Sequence, residues 1–316
     1  MRLTKWVPLV VIGIWCLNQS PASAADGFEA RWNLTERGEA RSFASWLEIN
    51  RDGSGWRGMF LHRGGHPMPA DVEIRDDSLR VTMRPPEGAP ARPDARFPTL
   101  EGRLRGNEIQ GTGSDRRGDT FTWTGVRAPD RHEGSHREVS WGEPIELFNG
   151  RDLSGWIPVE KDRENNWKAV DGILHSDQSG ANLRTVDEFR DFKLRLEWMI
   201  PPGSNSGVYL RGRYETQVAD DYGKEPYSRG VGGVYGQLTP SVNPARPAGE
   251  WNTVEATLIG YRLTLVVNGQ TTIDGEYIPG ITGGALDSNE AAPGPIMLQG
   301  DHGPVSYRNI VLTPAR

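Results

Sequence analysis

The stretch from Pro202 to Asp220 concentrates the residues able to do chemistry. It opens on the turn-forming run Pro202-Gly203-Ser204-Asn205 and then alternates with the period of a strand. Tyr209, Arg211, Arg213, Glu215 and Gln217 fall on one face, and Leu210, Gly212, Tyr214 and Thr216 on the other. Side chains on alternate strand residues share a face and stand roughly 6.6 Å apart. One wall would then present a guanidinium, a carboxylate and an amide, a set able to exchange a proton and to hold polar groups. An edge strand with merely solvated charges is the competing reading. Both signs of charge backed by small or apolar residues favour a polar concave face over a packed core. Asp220 is an odd number of residues from Glu215 and faces away unless a bulge intervenes.

The elements around this wall read as short strands. Asp171-Gly172 sits within Asn166 to His175, and Asn268-Gly269 joins Tyr261–Asn268 to Thr271–Asp274, both strong hairpin signals. From Phe189 to Ile200 the pattern alternates, with Phe192, Leu194, Leu196 and Trp198 on one face. The chain then closes on Pro295 to Leu312, which carries Gln299 and His302. His302 and His175 are the two histidines of this half.

The first half reads as a small antiparallel β domain over residues 26–127. Hairpin-like connections occur at Arg51–Gly55, Asp76-Asp77 and Gly106-Asn107, and Thr120 to Val126 alternates with Phe121 and Trp123 on one face. Eight or so short strands at this spacing predict a closed barrel or a sandwich. Trp32, Trp46, Trp56 and Trp123 are expected as core plugs more than as sugar-stacking platforms. His62 and His66 lack a third ligand and read as loop residues. Residues 128–144 are charged, apolar-poor and turn-rich, the composition of a solvated linker, and a second domain follows over 145–316.

At 316 residues, with 39 Gly and 23 Pro and no long helical periodicity, the chain is expected to be all-β in two domains. Arg2 and Lys5, the apolar run Trp6–Leu17 and the small residues Ala22-Ser23-Ala24 form a secretory leader too short to span a bilayer. Cleavage after Ala24 removes Cys16, the single cysteine, and rules out disulfides. It also takes 36 basic residues to 34 against 42 acidic ones, a net charge of −8. A chain this acidic argues against nucleic acid as a partner. A periplasmic or secreted location is expected.

Several short motifs follow one another in a recognisable order. They are Leu147-Phe148-Asn149-Gly150 with Leu153-Ser154-Gly155-Trp156, Asn205-Ser206-Gly207-Val208-Tyr209-Leu210-Arg211, Tyr214-Glu215-Thr216-Gln217-Val218-Ala219-Asp220, and Gly233-Val234-Tyr235. Trp251-Asn252, Leu298-Gln299 with His302-Gly303, and Tyr307-Arg308-Asn309-Ile310 complete the series. In this order they resemble the bacterial 3-keto-disaccharide hydrolase family, over the C-terminal half only. The resemblance implies a concanavalin-A-like jelly-roll sandwich, an oxidised sugar substrate made by a sugar 3-dehydrogenase, and cleavage through the 3-ketone. It also implies roles: Glu215 as base, His302 as acid or base, and Arg211 as stabiliser of an enolate or partner of the carboxylate. Asn205, Gln217, Asp220, Tyr235 and Gln299 would bind substrate. No ligand spacing demands a cofactor, and a divalent metal ion would have Glu215, Asp220 or His302 to hold it. Gly300-Asp301, between Gln299 and His302, departs from the expected loop. A conventional glycoside hydrolase, needing two facing carboxylates, and a non-catalytic lectin are the alternatives.

Overall fold

The structure is a computed structural model that describes residues 24–90, 95–134 and 137–316. The expected leader lies outside the described residues up to position 23, as does His136.

Eight antiparallel strands from Ala30–Arg37 to Thr120–Arg127 each pair with the next, and the first closes on the last through pairs such as Leu34↔Gly125. The choice between barrel and sandwich therefore resolves to a barrel, and closure leaves no free sheet edge. Its interior is filled by Trp32, Leu34, Leu47, Phe60, Leu100 and Trp123. The Trp123 indole lies across Gly102, where any Cβ would overlap the ring. Trp56 differs from the other three tryptophans: it is half-buried, with the Arg51 guanidinium 3.9 Å above its ring.

The second half is a two-sheet β-sandwich of jelly-roll type. One sheet has five strands in the order Trp156–Pro158, Leu183–Thr185, Met297–Leu298, Asn205–Leu210, Tyr214–Ala219. The other runs from Trp167–Val170 through Ile173–Ser176, Val305–Pro314, Phe192–Met199, Asn252–Ile259 and Arg262–Val267 to Gln270–Tyr277. Phe192, Leu194, Leu196 and Trp198 are buried between the sheets as their alternation predicted. Asp171 and Asn268 both have positive φ, 50° and 49°, as two-residue hairpin turns require.

Residues 128–144, expected as a solvated linker, are held against the sandwich at several points. Arg131 pairs with the buried Glu290 at 2.7 Å, Arg137 pairs with Asp191, and Trp141 bridges to Ala315. Barrel and sandwich also meet directly along residues 278–290. Trp46 Nε1 donates to Ile281 O at 2.9 Å, Asn33 Nδ2 to Ser288 O at 2.9 Å, and Arg31 pairs with Glu290. Gly65 and Gly283 bring their backbones so close that a Cβ at 283 would overlap the Gly65 main chain. The same segment braces the wall described above, since Glu215 N donates to Thr282 Oγ1 at 2.9 Å.

Candidate active site

The wall is a hairpin, not one continuous ribbon. Residues 211–213 form a turn, with Arg211 and Gly212 both at positive φ (54° and 65°). The strands on either side pair as Tyr209↔Glu215, Gly207↔Gln217 and Asn205↔Ala219. Cross-strand partners share a face. Asn205, Tyr209, Glu215 and Gln217 therefore stand together on one side, while Val208, Leu210, Tyr214 and Val218 pack into the sandwich core. The break corrects the expectation for Arg211. Its guanidinium turns away into a buried nest, donating to Asp191 at 2.8 Å and to the carbonyls of Gly260 and Arg190. It forms no part of the cleft that holds Glu215. An arginine is an uncommon occupant of a left-handed turn position, so no local signal marked the reversal.

Asp220 is a second correction. Its carboxylate accepts from Gly203 N at 2.9 Å, tying the loop before the hairpin, and it does not line the cleft. Asp221 is no second acid either: buried, it accepts from Lys224, Tyr227 and Val231 N. With Asp220 elsewhere, the expected metal ligands do not assemble, and among the described residues no three His, Cys, Asp or Glu side chains group as a metal site.

The remaining candidates converge on one cleft of about 700 Å³. Glu215 forms its floor, 4% exposed, with Oε2 2.9 Å from the Tyr209 hydroxyl. Gly207 lies diagonally across the hairpin from it, and a Cβ there would overlap the carboxyl. Burial pushes the Glu215 pKa up to about 8, against the lowering effect of the Tyr209 hydrogen bond and the nearby His302 charge. Tyr209 is itself held well above its ordinary range, first by burial and then by Glu215.

His302 stands at the rim, its side chain 49% exposed, with Nδ1 2.6 Å from Asp301 Oδ1. That bond raises the imidazole pKa while burial opposes it. Burial draws Asp301 upward, yet its bonds to His302 and Arg163 outweigh this and hold it low. Fixing Nδ1 leaves Nε2 as the nitrogen free to serve a ligand. Asp301 is thus the orienting partner of His302, a role the sequence read only as an irregular loop.

Amides complete the cleft. Gln217 Nε2 lies 3.4 Å from Asn205 Oδ1, and Gln299 Nε2 lies 3.4 Å from the Tyr209 hydroxyl. The Oε1 atoms of Gln217 and Gln299 are buried and unpartnered among the described residues. Orphaned acceptors of this kind are costly in a closed protein and suit the donors of a polyhydroxyl ligand. Tyr235 joins the lining, its backbone N bonded to Glu215 O at 3.0 Å. The opposite wall comes from the barrel: Arg41, Phe43, Arg63 and Gly64 reach the cleft that Glu215 floors. Nothing in the local sequence of the first half pointed to this.

The sequence profile of the 3-keto-alpha-glucoside-1,2-lyase-like domain matches residues 143–313. A 3-keto-disaccharide hydrolase of Bacteroides thetaiotaomicron is 27% identical over 163 residues, a match covering 40% of this chain and 55% of that protein. The chain thus spans about half the length of this curated relative. A crystal structure from Parabacteroides distasonis, provisionally described as a glycosyl hydrolase, is 29% identical, with a TM-score of 0.46 over 56% of this chain and 90% of that one. A Bacillus licheniformis beta-glucanase is 14% identical, with a TM-score of 0.36 over 57% of this chain and all of its own.

Proposed function

The chain belongs to the 3-keto-alpha-glucoside-1,2-lyase-like family through residues 143–313, and from that premise we propose that it cleaves 3-keto-glucosides, including 3-keto-disaccharides. A ketone at C3 acidifies the neighbouring C2 proton, because the carbanion delocalises as an enolate. Glu215 takes that proton. The C1–O bond then breaks, the leaving oxygen receives a proton from the His302 imidazolium, and an unsaturated keto sugar remains. Addition of water to that product gives net hydrolysis. With Arg211 turned away, the Nε2 amides of Gln217 and Gln299 are the donors left to steady the enolate oxygen, and their unpartnered Oε1 atoms accept from the ring hydroxyls.

The observation that carries this reading is a fully buried carboxyl with its pKa pushed up to about 8, on the floor of a cleft whose rim holds His302. A raised pKa makes the carboxylate a stronger base, suited to a carbon acid. Asp301 is the other acid of the cleft that approaches Glu215 closely enough to act on its charge. Both Asp301 oxygens are already engaged, by His302 at 2.6 Å and Arg163 at 3.1 Å, which disfavours a conventional two-carboxylate glycosidase.

Purified protein incubated with 3-keto-trehalose or methyl 3-keto-glucoside should release the leaving group, with the unoxidised sugars untouched. Cleavage of the unoxidised sugars would point to a conventional glycosidase, and saturable binding without product to a lectin. The reading also requires an oxidising step, a sugar 3-dehydrogenase, to supply the ketone. We further propose export with removal of Met1–Ala24; an intact N-terminus on the mature protein would refute it.

A further inference from the structure

A second hollow, of about 720 Å³, opens beside the cleft at the seam between barrel and sandwich. The two share Arg41, Phe43, Arg63, Gly64, Gly65 and Tyr235, so a ligand seated over Glu215 has a continuous path into it. The hollow is cationic: Arg41, Arg63, Arg116, Arg117 and Arg229 line it, against Asp115 and Asp119. Asp115 is already engaged, accepting from Arg117 N at 2.8 Å, Asp119 N at 3.0 Å and Arg63 at 3.5 Å. Arg63 is also held by Glu36 at 2.8 Å, but Arg41, Arg116, Arg117 and Arg229 have no carboxylate within ion-pairing distance among the described residues. Arg41 and Arg63 lie 4.6 Å and 4.4 Å from the Phe43 ring, which makes Phe43 the threshold between the two spaces. His66 senses the field: burial and then the charges of Arg229 and Arg116 lower its pKa.

A concentration of unpaired guanidinium groups needs a reason in a chain whose net charge is −6. Guanidinium forks match carboxylate, sulfate and phosphate oxygens. Resting on the proposed cleavage at Glu215, we propose that this hollow is a leaving-group subsite for an oxyanion carried by the aglycone. The glucosyl ring sits on the sandwich floor, the aglycone crosses Phe43 and Tyr235, and its anionic group meets Arg116 and Arg229. The barrel, through Arg116, thereby joins Arg229 of the sandwich in setting specificity for a reaction whose chemical groups lie in the sandwich.

The test uses two 3-keto-glucosides whose leaving groups differ only in remote charge, 4-(2-carboxyethyl)phenol and its primary amide. The full-length protein should favour the carboxylate by about tenfold in kcat/KM, the size of one or two charge-assisted hydrogen bonds. The ratio should shrink with added salt. In the double variant Arg116→Gln, Arg229→Gln it should fall to about one. Calorimetric binding of the same compounds to Glu215→Gln protein, with and without the two arginine substitutions, reads the subsite without turnover. Consumption of both compounds at equal kcat/KM with equal binding overturns the subsite and leaves the cleavage reading standing. Charge-selective binding lost with the arginines, but no turnover by the unsubstituted protein, does the reverse. A preference that survives the arginine substitutions also overturns the subsite.

Discussion

Tyr209 and Glu215 are directly opposed across their hairpin, hydroxyl to carboxyl at 2.9 Å, and the same hydroxyl lies 2.8 Å from Gly283 O. One hydroxyl hydrogen cannot serve both acceptors. When Glu215 is protonated, it donates to the tyrosine oxygen and the tyrosine donates onward to Gly283. When Glu215 is ionised, the tyrosine must turn to it and the carbonyl loses its partner. Tyr209 thus favours the ionised acid, against burial, and does so only by giving up Gly283.

Replacing Tyr209 by Phe removes the hydrogen bond that lowers the Glu215 pKa. The acid limb of kcat/KM, expected near pH 8 in the native protein, should move to higher pH. Near neutral pH the loss should be about tenfold, one hydrogen bond to a charged group. An unmoved limb in the pH–rate profile would show that another group is the base.

Glu215→Gln should lower turnover by roughly a thousandfold, the scale of a lost general base. Its stability should change in a pH-dependent way. The folded carboxyl titrates at about 8, above its ordinary value of 4.5, so the folded state binds the extra proton between those values. Stability of the native protein therefore falls as pH rises through that window and levels off above it. Glutamine, which cannot ionise, lacks that slope. Melting curves at pH 5 and pH 9 should show the variant gaining on the native protein at the higher pH.

Asp301→Asn removes the largest contribution raising the His302 pKa. If His302 protonates the leaving oxygen, the basic limb should shift to lower pH and kcat should drop by about ten- to a hundredfold, an effect of the size lost when a partner orienting a functional histidine is removed. A leaving group of low proton affinity should suffer less. Equal losses for good and poor leaving groups would remove His302 from the acid role.

Arg211→Ala should behave as a structural lesion. It leaves two carbonyls unpartnered and Asp191 with only the half-exposed Arg137, a loss of about 3 kcal/mol, the low end for broken buried ion pairs. The melting temperature should fall, while kcat/KM per folded molecule stays within a few fold. A selective loss of kcat at full stability would restore Arg211 to the chemistry.

The sequence by itself determined the strands and their faces. Side-chain alternation is a local property, so Phe192–Met199 and Thr120–Arg127 were legible, as were the Asp171-Gly172 and Asn268-Gly269 turns, because each demands a left-handed backbone that few residues supply. The same periodicity put Glu215 and Gln217 on one face. It failed at Arg211, where two successive positive-φ residues reverse the chain and change which face a residue takes. Whether alternation continues through a turn depends on packing around Gly212, where a Cβ would overlap Leu286, a contact distant in sequence. Tertiary structure alone decided the rest. It brought Asp301 and His302 to the carboxyl, sent Asp220 to a loop tie, and set the barrel as the opposite wall of the cleft. Burial, which shifts the Glu215 pKa, is a sum over neighbours from several chain segments, and no local pattern of residues encodes it.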